Sequence, residues 1–235
     1  MRNGSNVDGK TGWLGSKIAR RLFLARLGAG AGVLGATAVG ASTAVAAVPA
    51  DASEGAAWKP ALHSQDDWLE KIPGQHRFVF DTVSPAGLDL AFTFGGNYFT
   101  ANHDAYGLED HELAVVMIAR HKSTSFGYND AMWAKYGKQF SEQSGFVDPK
   151  TNAAPTANLY AVRMDALVKK GVQFAVCQMS SRRIAGMIAQ ATGRDAAEIL
   201  KEMAANLRPN ARIVPAGIVA VNRTQERGYS LVYAG

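Results

Sequence analysis

The run Gly171-Val-Gln-Phe-Ala-Val-Cys177 constrains this chain more than any other stretch. It is short and rich in Val and Phe, with a glycine before it and the polar pair Ser180-Ser181 beyond it. It therefore reads as a strand buried on both faces, and such strands occur almost only in parallel sheets covered by helices on either side. A chain holding one such strand must supply others to pair with it. Leu113–Ala119 is a second unbroken apolar run, and Arg77–Val83, Arg212–Ala216 and Ser230–Ala234 are shorter candidates, with Pro215 better suited to a strand end than a strand centre.

The segments between these runs carry helix signals. Ser84-Pro85 is an N-cap followed by proline at the first helical position, and Leu88, Phe92, Gly95 and Phe99 then share one stripe. Gly95-Gly96 inside that helix costs about 1 kcal/mol per glycine relative to alanine, which points to close backbone packing. Asn129 or Asp130 caps a helix through Tyr136, and a polar loop from Ser141 to Pro155 is long enough for an insertion or interface arm. Further helices are expected over 156–170, 182–191 and 217–228. Asp195 with Glu198 three residues on opens another over 196–207. Strands alternating with helices predict an α/β fold: a three-layer open parallel sheet of about five strands with helices on both faces.

This topology gives Cys177, the only cysteine, a meaningful place. It falls at the carboxyl end of its strand, the edge where open α/β sheets bind ligands. A reactive thiol needs some exposure and a positive neighbourhood or a helix N-terminus. Arg182 and Arg183, five and six residues later, are the candidate ligand-binding cations, on a helix whose positive end would face the sulfur. Free cysteine is also a small core hydrophobe, so a packed Cys177 stays open as the alternative. His121 follows the second buried run and is the candidate acid–base group at the same edge. His103 and His111, near Asp104, Glu109 and Asp110, lack the tight spacing of a metal site. No metal or cofactor is expected, and no Ser-His-Asp arrangement or phosphate-binding loop is present.

The formal net charge of +5 belongs to one end of the chain. Residues 1–46 hold six basic residues and one acidic, leaving nineteen of each in the rest. No basic surplus remains to neutralise phosphates, which excludes nucleic acid as a partner. Ala19-Arg20-Arg21-Leu22-Phe23-Leu24 instead matches the core of a twin-arginine export signal, with a Gly/Ala-rich apolar segment to Val48 and a small-x-small cleavage pattern at Ala44-Val45-Ala46. Residues 1–46 are thus expected to be a signal peptide read by the twin-arginine translocon, making the protein periplasmic. An uncleaved membrane anchor is the alternative. Gly30-Ala-Gly32-Val-Leu-Gly35 spells G-x-G-x-x-G but has neither the strand before it nor the helix after it that dinucleotide binding needs. Residues 47–72 read as a linker and surface arm pinned by Trp58 and Trp68, and 73–235 as the domain.

Gly171-Val-x-Phe-x-x-Cys177, Val214-Pro-Ala-Gly-Ile218 and Gln225-Glu-Arg-Gly-Tyr-Ser230 resemble the DsrE/DsrF-like sulfur-relay family over about residues 76–235. The resemblance implies a five-stranded parallel sheet flanked by helices and association into homo- or hetero-oligomers, here a homo-oligomer. It also implies Cys177 as a persulfide acceptor served by a sulfur donor or acceptor protein, and a histidine after the second strand, where His121 stands. The chain departs from the family in reading His121-Lys122 for the usual His-Gly, in its 123–140 stretch, and in carrying an export signal. Two functions follow: a sulfur-handling protein acting through Cys177, or a non-catalytic periplasmic module that binds a small ligand or a partner on the same fold.

Overall fold

The structure, a computed structural model, describes residues 58–235; the twin-arginine segment, the G-x-G-x-x-G run and the cleavage pattern lie outside the described residues. Five strands, β1 (His76–Thr82), β2 (Leu113–Ala119), β3 (Gln173–Cys177), β4 (Ala211–Val214) and β5 (Ser230–Ala234), form one sheet in the order β4-β3-β2-β1-β5. Every pairing is parallel. With β1–β3 inside and helices on both faces, this is the three-layer α/β arrangement that the unbroken apolar runs predict. In β2, Leu113, Val115 and Met117 face one layer while Ala114, Val116 and Ile118 face the other, which is why no polar residue interrupts it.

The two layers differ in bulk. On one face pack α2 (Pro85–Tyr106), α3 (Asp130–Ser144), α4 (Ala161–Val168), α5 (Gln178–Thr192) and α6 (Ala196–Ala204), together with a 3-10 turn over His121–Gly127. Fully buried Trp133, Phe126, Phe140 and Phe174 fill this side, each worth roughly 1.5–3 kcal/mol or more of apolar burial. The other face is covered only by α1 (Trp68–Lys71) and α7 (Gly217–Glu226), through Leu69, Ile72, Ala220 and Val221.

Local signals in α2 act as read. Ser84 Oγ accepts the Gly87 N–H at 2.9 Å with Pro85 opening the helix, and Leu88, Phe92, Gly95 and Phe99 are all buried. A Cβ on Gly95 would lie 2.5 Å from Met117 Cε, so helix and sheet approach closely there, whereas Gly96 has nothing near it.

Four boundaries differ from the sequence reading. Residues 58–72, read as part of a linker and surface arm, belong to the same compact unit as the sheet, with Leu69 and Ile72 in the core. Tyr229 Oη donates to Leu69 O at 2.7 Å and Arg227 to His63 O at 3.2 Å, clamping the arm from the far end of the chain. Trp68 is part of this packing and Trp58 is exposed. Helix α3 runs to Ser144, shortening the polar loop. Helix α4 starts only at Ala161: Asn158 donates to Phe126 O and Tyr128 O, and the chain turns at 159–160 before the helix begins. Most consequential, α5 begins at Gln178, directly after Cys177, and not at Arg182.

Candidate functional site

The site is built where β1, β2, β3 and β5 end on the thin face. Asp81 pairs with Tyr233 in the β1–β5 register and with Ile118 in the β1–β2 register, two residues before Arg120. Arg120, just past β2, donates from Nε and Nη2 to the two Asp81 oxygens, both at 2.7 Å, with Asp81 buried. This two-point ion pair raises the Arg120 guanidinium above its ordinary range, chiefly through the hydrogen bond. Burial opposes the shift, and the charges of Asp81, Tyr233 and Cys177 add to it. Gly217, the first residue of α7, lies against the Arg120 stem: a Cβ there would be 2.4 Å from Arg120 Cβ, so only glycine lets the helix start so close.

Cys177 closes β3 and also opens α5. It is the N-cap, its Sγ accepting the Ser180 N–H at 3.5 Å, while Ser181 Oγ donates back to Cys177 O at 2.8 Å. Ser181 continues to the buried Tyr128 hydroxyl at 2.5 Å, and burial pushes that phenol well above its usual range. The residue is 5% exposed, which corrects the expectation of a thiol open to a crevice. Turning Sγ toward the α5 backbone to cap the helix is what covers it.

His121 comes to the same edge. Its N–H donates to Ser180 Oγ at 3.1 Å and its carbonyl accepts Gln143 Nε2 at 2.9 Å, which together hold it at φ +54°, a left-handed conformation that a non-glycine residue adopts at a cost of about 1–2 kcal/mol. Ser180 thus joins the thiol to the histidine backbone. Arg182 and Arg183 are elsewhere: a full turn into α5 and exposed, with Arg182 bonded to Gln178 Oε1 at 3.4 Å. The charged residue at this edge that the sequence reading missed is Arg120, paired to Asp81. Its signal was Asp81, a carboxylate inside the apolar Phe78–Thr82 run with no local reason to be there. Exposed apolar side chains sit on the surrounding elements: Met179 in the first turn of α5, Ile218 in that of α7, and Tyr233 on β5. His103 is exposed and bonded to Asp104, and no group of three or more His, Cys, Asp or Glu side chains able to hold a metal occurs among the described residues.

No family model matches the chain, and no curated protein matches it. Among solved structures, one of a protein of unknown function, MTH1491 from Methanobacterium thermoautotrophicum, is similar at 15% identity and a TM-score of 0.40, covering 68% of this chain and 99% of that one.

Proposed function

We propose that this is an exported protein of the DsrE/DsrF-like type in which Cys177 accepts sulfane sulfur. The observation that carries the reading is the seating of the thiol at the strand end as the N-cap of α5, with the Ser180 N–H on Sγ. A helix N-terminus favours negative charge on the atom it faces, and the thiolate is the nucleophile. In the step proposed, the Cys177 thiolate attacks the terminal sulfur of a donor persulfide or polysulfide. The donor's S–S bond breaks, the donor leaves as a thiolate with the electron pair, and Cys177 becomes a persulfide with the charge on its outer sulfur. No external oxidant is consumed. Arg120 supports the anion before and after transfer, and His121 is the acid–base group of this edge. Met179, Ile218 and Tyr233 supply apolar surface on which a donor protein docks.

Persulfide-selective labelling after exposure to polysulfide tests the reading. Wild type is expected to label and Cys177→Ser to lose the label completely. An unlabelled wild type whose thiol reacts only after unfolding would sink the sulfur role and leave the non-catalytic ligand-binding reading, which the near-complete burial of Cys177 favours. In the same proposal the Arg20-Arg21 segment carries the folded protein to the periplasm. Replacing both arginines by lysine is expected to hold the precursor in the cytoplasm by cell fractionation, and normal export of that variant would remove the assignment.

A further inference from the structure

A cleft of about 310 Å³ opens beside the ends of β3 and β4, lined by Gln65, Asp66, Trp68, Gln178, Arg212 and Pro215. That volume lies at the small end of the range for small-molecule sites. Arg212 leans over the Trp68 indole, 4.3 Å from its centroid, and makes no hydrogen bond or ion pair to any described residue; its Nε is buried without a partner. Burial lowers the pKa of this guanidinium. Asp66, also lining the cleft, is 6% exposed, and its Oδ2 has no hydrogen-bond donor, facing only Arg223 Nε at 3.7 Å.

Buried polar atoms without partners are uncommon in native folds, because each forfeits its hydration. Arg212 and Asp66 set opposite charges on one cleft, which suits an occupant that accepts at one end and donates at the other. The charges refine this. Asp66 already faces Arg223 while Arg212 forms no ion pair among the described residues, so the uncompensated charge is positive. The guanidinium is planar, and its fork of N–H donors matches the two oxygens of a carboxylate. We propose that this cleft binds a small organic acid bearing a hydroxyl or ammonium group on the carbon next to its carboxylate. The carboxylate sits on Arg212, the neighbouring donor turns to Asp66, and the Gln65 and Gln178 amides line the remainder. Gln178 follows Cys177, and Val214, also at the cleft, is Cys177's register partner, but Cys177 itself does not line it. The site stands independently of the sulfur chemistry.

Calorimetric titration of the full chain with lactate, glycine, propionate and thiosulfate tests it. Lactate and glycine are expected to bind, with propionate and thiosulfate roughly 10- to 100-fold weaker for want of the donor that reaches Asp66. Arg212→Gln should weaken lactate by a similar roughly 10- to 100-fold, since a hydrogen bond to a charged group is lost. Arg212→Lys, which keeps the charge, should recover part of it and serves if the glutamine variant fails to fold. Cys177→Ser should bind lactate as wild type does, so a failed sulfur role leaves this result intact. Unchanged lactate affinity in Arg212→Gln, thiosulfate or propionate as tight as lactate, or no binding of any probe overturns the proposal.

Discussion

Asp81→Ala is expected to lower the unfolding free energy by about 2–4 kcal/mol. Truncating one partner of a buried ion pair leaves the other charge uncompensated, at a cost of roughly 3–5 kcal/mol where the pair is fully buried. The Arg120 side chain retains 23% of its exposure, so water recovers part of that cost. Arg120 cannot swing away freely, because Gly217 packs on its stem. The loss should appear as a lower denaturant midpoint at unchanged slope. Asp81→Asn, which keeps an acceptor oxygen, should cost less. The same variant reports on the site: with Arg120 no longer anchored, the rate of persulfide labelling at Cys177 should change in the folded protein. A stability loss below about 0.5 kcal/mol, the level of an exposed pair, would mean that the pair does not hold this edge together.

Trp133→Ala is expected to be more damaging, at about 3–5 kcal/mol, the range for truncating a buried aromatic. Trp133 is fully buried, with Phe126 5.2 Å and Phe140 5.1 Å away between ring centroids, and its Nε1 donates to Ser125 O at 3.2 Å. Both Ser125 and Phe126 belong to the 3-10 turn that begins at His121, so the tryptophan is the inner support of the segment bearing the histidine. Hydrogen exchange should therefore accelerate at the amides of 121–128 beyond the global effect, and Trp133→Phe should recover much of the loss. A change under 1 kcal/mol, or exchange that rises evenly along the chain, would show that the turn does not depend on this ring.

The parts of this fold that were legible in the sequence are those set by neighbours in the chain. A strand buried on both faces must be apolar at successive positions, so Leu113–Ala119 and Phe174–Cys177 announced a parallel sheet. Ser84 and Pro85 announced the start of α2 because capping and fixed φ act within one turn. Cys177 at a carboxyl edge followed from the same strand pattern.

The start of α5 did not. Cysteine is absent from the residues that usually cap helices, so nothing in the sequence marked Cys177 as the N-cap, and the Arg182-Arg183 pair drew the reading a turn too far. Nor could the chain show that an ion pair would join this edge. Arg120 and Asp81 are 39 residues apart and come together only through the β1–β2 register. Arg212 and Trp68 likewise meet only once Tyr229 and Arg227 have clamped the 58–72 arm onto the thin face. Apolar period and capping are properties of adjacent residues, and these determined the class of fold and the position of the cysteine. Ion pairs, stacked cations and clefts join residues from distant strands, and only the strand order and register decided which of them share an edge.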